Sequence, residues 1–269
     1  MSQTKEILIH DRWQSLRQLT DARIALGHAG SSLPTSALLN FQLCHAQARD
    51  AVLQPLDYQS LQQQLEALHS PVFILHSQAQ DRRQYLQRPD LGRRLDSHSQ
   101  QQLRDYLAGA DQGADLAIVI SEGLSSAAIS HHAQPFLDLL LPQIQQLQLT
   151  LAPLTIVQQG RVAVGDDVCF TLKSKMVVML IGERPGLSSP DSMGIYFTYN
   201  AYPGITDEKR NCLSNVRLAG MSYQQACHRL SYLIQGALKL GETGVQLKDE
   251  SEASDPKGSN FLLPTQSAQ

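Results

Sequence analysis

Basic charge is in short supply in this chain: 22 Lys and Arg stand against 25 Asp and Glu over 269 residues, a net charge of −3 at neutral pH. No basic field is left over to hold a nucleic acid by its phosphates. Long apolar runs are missing too. The longest, Met176–Ile181, falls far short of the roughly 20 residues that a membrane-spanning helix needs. The start, Met1 to Asp11, lacks a charged-then-apolar export pattern, so the expected setting is cytoplasmic. Cysteines are few, and Cys44, Cys169, Cys212 and Cys227 form no Cys-x-x-Cys pair. That argues against a zinc ribbon or a redox dithiol and for four reduced thiols.

Several catalytic signatures are absent as well. There is no Gly-x-Gly-x-x-Gly for a dinucleotide and no Gly-Lys-Ser/Thr phosphate loop. Ser121 and Ser125 lack the Gly-x-Ser-x-Gly elbow of a hydrolase. His131 and His132 are adjacent. Neighbouring helical residues diverge by a quarter turn or more, so the expectation is that the two imidazoles do not share a metal.

What is present is enough for a packed core: 42% hydrophobic and 17% charged residues exclude wholesale disorder. The first 70 residues read as helical. Leu16, Leu19, Ile24 and Leu26 recur at helix-compatible spacing before Gly27-His28-Ala29-Gly30 interrupts them. A second helix follows Pro34, with Thr35 or Ser36 as its cap. From residue 71 to 247 short apolar runs alternate with longer mixed segments. The runs are Val72–Leu75, Leu116–Ile120, Leu154–Val157, Val177–Ile181 and Ile195–Tyr199. Unbroken runs suit strands buried on both faces, and Ala127–Leu147 and Tyr223–Leu240 are long enough for crossover helices. The expected fold is α/β: an open, mostly parallel, Rossmann-like sheet with an N-terminal helical segment. Residues 248–269 have little to bury and read as a disordered tail.

Ligands of such sheets sit beyond the carboxyl ends of the strands, where two loops stand out. One reads Ser121-Glu122-Gly123-Leu124-Ser125 and could offer backbone N–H groups to a ligand. The other reads Gly182-Glu183-Arg184-Pro185-Gly186-Leu187. Gly182 and Gly186 there allow close approach of another backbone or of a flat ligand. By residue type alone, Glu183 and Arg184 fit a ligand edge and an ordinary solvated turn equally well. Cys212, in Cys-Leu-Ser-Asn, fits packing better than ligand contact. The arginines of Tyr85 to Leu95 fit a phosphate, a partner or plain solvation.

Taken together and in order, several stretches resemble the small (light) subunit of ethanolamine ammonia-lyase. They are Ala22–Gly30, Tyr-Leu-Gln-Arg-Pro-Asp-Leu-Gly-Arg-Arg-Leu at 85–95, Val119–Ser125, Gly160-Arg161-Val162, Gly-Glu-Arg-Pro-Gly-Leu at 182–187 and Cys212–Asn215. The resemblance covers roughly residues 11 to 247, and the motifs at 85–95 and 182–187 together are specific. It implies an adenosylcobalamin-dependent enzyme that converts ethanolamine to acetaldehyde and ammonia by a radical rearrangement. It further implies that the chemistry belongs to a large barrel subunit, and that this chain walls part of the cobalamin pocket with Val162, Glu183 and Cys212. The implied assembly has six small and six large chains. No Asp-x-His-x-x-Gly occurs, which agrees with a cobalamin that keeps its own base on cobalt. Some members carry a longer N-terminal extension linked to packaging in a bacterial microcompartment. Only a short segment precedes Asp11 here, which counts against compartment targeting; the expected setting is cytoplasmic, with a microcompartment as the alternative that the resemblance implies. Two other readings compete: a stand-alone α/β enzyme or flavin binder, which would need a catalytic constellation of its own, and a scaffold, which would tolerate loss of Glu183.

Overall fold

The computed structural model describes residues 8–69, 71–109 and 113–251. Strands β1 (Leu8–Ile9) and β2 (His28–Ala29) pair antiparallel. Then come helices α1 (Thr35–Leu53) and α2 (Tyr58–Glu66), strand β3 (Val72–His76), and helices α3 (Arg82–Gln87) and α4 (Ser97–Ala108). The chain continues with β4 (Leu116–Ser121), α5 (Ser126–Gln146), β5 (Leu154–Gln158), α6 (Val164–Thr171) and β6 (Met176–Gly182). It ends with β7 (Met193–Tyr199), β8 (Asn211–Val216) and α7 (Tyr223–Leu240). No described helix is long and apolar enough to cross a membrane.

The main sheet has six strands in the order β3-β5-β4-β6-β7-β8. Neighbours from β3 to β6 run parallel, while β7 and β8 return antiparallel at one edge. This is the open, mostly parallel α/β sheet expected from the unbroken apolar runs. Alternate residues serve opposite faces. Leu116, Ile118, Ile120, Met176, Val178 and Leu180 pack with Phe136 of α5 and Leu230 and Ile234 of α7. Ala117, Val119, Val177 and Met179 pack with Leu103 of α4 and Val168 of α6.

Helix starts are fixed locally. The side chains of Asp57, Asp81, Asp96 and Ser125 accept backbone N–H bonds at the starts of α2, α3, α4 and α5. Ser222 and Gln225 form a reciprocal capping box on α7, and Gly241 closes that helix in the left-handed region.

Two local expectations are revised, and one strand was not anticipated. Asp11 to Gly27 is not a regular helix: Gln14–Gln18 forms a 3₁₀ turn, and β1 pairs with β2 around it. Gly27 adopts φ +74°, and a Cβ there would run into the Ile9 carbonyl. Pro34, not Thr35 or Ser36, occupies the cap position of α1, with no side-chain cap bond. The segment around Cys212 is the edge strand β8, whose polar Asn211, Ser214 and Asn215 carry little strand propensity. The expected tail lies outside the described residues except for 248–251, where Asp249 sits 3.6 Å from Arg229 of α7 and Ser251 is buried.

Candidate functional site

A cleft of about 430 Å³ opens at the carboxyl end of the parallel strands. Its wall comes from five chain segments: Tyr85 of α3, Leu124 after β4, Arg161 and Val162 after β5, Ile181 to Arg184 at the end of β6, and Tyr196 of β7. The lining mixes apolar surface with a carboxylate, two guanidinium groups and two phenols. Such a surface suits an amphipathic ligand whose rim carries amides.

Glu183 follows the last residue of β6 and is held by the edge strand β8, one strand beyond β7. Its Oε1 accepts the Ser214 hydroxyl at 2.6 Å, and its Oε2 accepts the Asn215 backbone N–H at 3.2 Å. Asn215 reaches this position through a positive φ of 61°, which Asn tolerates better than most residues. Two oxygens carry about four acceptor sites, so the carboxylate retains capacity for a ligand's N–H groups. Arg184 is exposed, and among the described residues it forms no ion pair with Glu183. Cys212 lies directly across from Tyr196 in the β7–β8 register. The thiol and the phenol influence each other's titration. Burial raises both above their ordinary titration ranges, and the nearby Glu183 charge adds to the rise. Val162 packs on the core beneath α6 and turns its partly exposed side into the cleft.

Val162 and Glu183 thus share one cleft, whereas Cys212 is exposed on β8 and meets the cleft only through its register partner Tyr196. The loops around them fall out differently from the residue-type reading. Gly182 faces protein: a Cβ there would collide with the carbonyls of Glu122 and Ser125. Of its two possible roles, approach of another backbone is the one realised. The Ser121–Ser125 loop spends its N–H groups internally, Leu124 on Gly182 O at 2.9 Å and Ser125 on Glu122 O at 3.0 Å. It is a structural turn and offers those donors to no ligand.

Glu122 lies buried under the cleft. It accepts the Tyr58 hydroxyl at 2.9 Å and the Gln159 N–H at 2.7 Å, and Ser121 Oγ approaches at 3.2 Å. Desolvation pushes its carboxyl above the ordinary range, against the pull of those bonds. It pins the start of α2 and the loops after β4 and β5 together, a role that nothing in Ser-Glu-Gly announced.

The arginines of the 85–95 motif are exposed, and its buried members are Tyr85, Gly92 and Leu95. Arg161 and Arg82 both stack over the Tyr85 ring, at 4.2 and 4.8 Å from its centroid. Burial of that phenol pushes it up to about 12. Arg161 also donates to Tyr85 O at 2.9 Å, and its N–H donates to Gly92 O at 2.7 Å. Arg94 donates to the buried Asp167 at 2.8 Å, while Arg88 pairs with Asp90 on the surface. The motif therefore braces the Gly160-Arg161-Val162 loop, and through it Val162. Tyr85, Arg161 and Tyr196 were not foreseen as lining residues. Tyr85 and Arg161 stood inside two of the recognisable motifs; Tyr196 carried no signal.

Comparison with known proteins follows the same outline. The model of the family described as "Ethanolamine ammonia-lyase light chain (EutC)" matches residues 10–248. The chain is 54% identical to the ethanolamine ammonia-lyase small subunit of Pseudomonas fluorescens (strain Pf0-1), covering 93% of this chain and 94% of that one. It is 53% identical to the small subunit of Pseudomonas syringae pv. tomato, over 93% and 91% of the two chains. It is also 53% identical to that of Pseudomonas aeruginosa (strain LESB58), over 93% and 94%.

Proposed function

Because the chain belongs to the ethanolamine ammonia-lyase light-chain family, we propose that it walls one edge of an adenosylcobalamin pocket completed by the large subunit. Small subunits imply a larger partner, and the reaction assigned to the pair converts ethanolamine to acetaldehyde and ammonia. Bound adenosylcobalamin supplies the radical by homolysis of its cobalt–carbon bond. The residues of this chain bind, orient and exclude water.

The observation that carries this reading is the meeting of Val162 and Glu183 in one carboxyl-end cleft, with Cys212 across from its Tyr196 in the β7–β8 register. The fit is chemical. Val162 offers apolar contact, and Glu183 offers anchored acceptor oxygens suited to the side-chain amides of a corrin. Tyr196 and Cys212 offer a polarisable wall. At about 430 Å³ the cleft takes only an edge of so large a cofactor, so the remaining walls belong to a partner. No complete catalytic constellation lines the cleft. We place the chemistry on the large subunit, in an assembly of six small and six large chains.

A second feature supports an obligate partner: the N-terminal segment leaves Trp13, Leu19, Leu39, Leu43 and Leu53 exposed. A surface of this kind is unusual for a chain that stays alone. We place the enzyme in the cytoplasm, with enclosure in a bacterial microcompartment as an alternative setting.

The test is acetaldehyde release from ethanolamine, with this chain alone, the large subunit alone, and both co-expressed. Turnover only in the mixture, and only with adenosylcobalamin, is the expected result. Absence of turnover in a complex shown to have assembled, with cobalamin present, would overturn the reading.

A further inference from the structure

We propose that His131, His132 and Asp191 form a binding site for a divalent transition-metal ion of the zinc type, separate from the cleft described above. One ligand atom from each residue lies within 4.8 Å of the other two. His131 Nδ1 stands 3.9 Å and His132 Nε2 3.6 Å from the same carboxylate oxygen of Asp191.

The two histidines sit on α5, and Asp191 comes from the loop between β6 and β7. The rings do diverge as adjacent helical side chains must, at 75° to each other with centroids 5.9 Å apart. They nevertheless present different nitrogens to one oxygen: His131 uses the near Nδ1, and His132 reaches with its far Nε2. The third ligand arrives from a distant part of the sequence, so the His-His pair alone could not disclose the cluster.

A second, independent observation points to a ligand. The His132 side chain is only 4% exposed, yet its buried Nε2 has no hydrogen-bond partner. At 3.6 Å, Asp191 is too far to satisfy it directly. The other ring nitrogen is already engaged, 2.7 Å from the Tyr223 hydroxyl at the start of α7. With Nδ1–H donated to that oxygen, the Nε2 lone pair faces Asp191 and His131. An outer partner that fixes the tautomer in this way is the usual companion of a metal-binding histidine.

Two imidazoles and a carboxylate suit zinc and its neighbours rather than magnesium or calcium, and they leave a position open for water. Zinc–ligand bonds of about 2.0–2.2 Å require the three atoms to draw together. His132 is held in the core, whereas the His131 and Asp191 side chains are 63% and 33% exposed and free to move in. A bound ion would tie α5 to the loop that follows Glu183. Ser125 Oγ already anchors that loop by donating to Pro190 O at 2.8 Å.

The test uses the full-length chain assembled with its large subunit, stripped with a chelator and titrated with Zn²⁺ against a fluorescent zinc chelator. His131→Gln and Asp191→Asn change partly exposed ligands, and circular dichroism checks that their fold is kept. The expected result is one more Zn²⁺ per copy of this chain in the wild-type complex than in either variant, held with a Kd below about 1 μM. Tyr223→Phe should weaken that site by about 10-fold. Equal stoichiometry and affinity in wild type and both variants would overturn the proposal, as would no Zn²⁺ uptake at micromolar concentration. Neither result bears on the cobalamin reading, because the site shares no residue with the cleft.

Discussion

Helices α1 and α5 are of similar length, and both are rich in leucine, yet they live differently. Helix α5 buries nine residues between the sheet and α7, among them Phe136, Leu137 and Leu140. Helix α1 buries only Ala51 and leaves Leu38, Leu39, Phe41 and Leu43 to solvent. Its contact with the rest of the chain is made near its C-terminus, where Arg82 donates to Val52 O at 2.8 Å and Ser126 to Gln54 O at 2.6 Å. One helix is part of a finished core. The other looks like half of an interface, and a family of small subunits supplies a reason for the missing half. Apolar content alone does not tell the two apart; what differs is whether this chain provides the covering surface.

The contrast can be broken by mutation. Phe136→Ala removes a fully buried ring between the sheet and α7, and should lower stability by about 4 kcal/mol in urea unfolding. Arg210→Ala should cost about 3 kcal/mol. It strips the bidentate partner, at 2.6 and 2.8 Å, from the buried Asp166, and an uncompensated buried charge remains. Ser125→Ala loses the cap of α5 and the bond to Pro190, for about 1 kcal/mol. Leu39→Ser on α1 should change the stability of this chain by less than about 0.5 kcal/mol. Its effect should appear instead in size-exclusion chromatography, as weaker assembly with the large subunit. A large stability loss with Leu39→Ser, and no effect on assembly, would mean that the two helices are not the different objects described above.

A smaller effect concerns pH. Asp115, at the entry to β4, is held at about 2. Burial would raise its carboxyl, but Lys175 at 2.7 Å and two bonds from Thr150 outweigh that. The folded-state value lies below the ordinary 3.8. The stabilisation is therefore complete above about pH 4 and is lost as pH falls towards 2. Because Lys175 is well exposed, the amount is about 1 kcal/mol. Acid titration of the unfolding midpoint should show this loss in the wild type and not in Asp115→Asn.

The sheet was legible because strands buried on both faces leave unbroken apolar runs, and Leu116–Ile120 and Val177–Ile181 are such runs. Strand β8 was not, because it lies at an edge and carries Asn and Ser where a central strand carries valine. The apolar residues of Leu16–Leu26 have helical spacing, but Leu16, Leu19 and Ile24 stay exposed, and the segment settles into a 3₁₀ turn and a two-stranded pairing. Within the site, Val162, Glu183 and Cys212 were named through motifs. Their supports, Ser214 under Glu183 and the Arg82–Tyr85–Arg161 stack under Val162, depend on contacts between residues far apart in sequence. No local pattern could have disclosed them.

The central claim is that Glu183, fixed by β8 at the cleft rim, holds cobalamin in the assembled enzyme. It is tested most directly by equilibrium dialysis of adenosylcobalamin against the complex carrying Glu183→Ala. Loss of a charged acceptor predicts binding weaker by about 10- to 100-fold, with the complex still eluting at its full size. Unchanged affinity in an intact complex would contradict the claim and leave this chain as a scaffold for its partner.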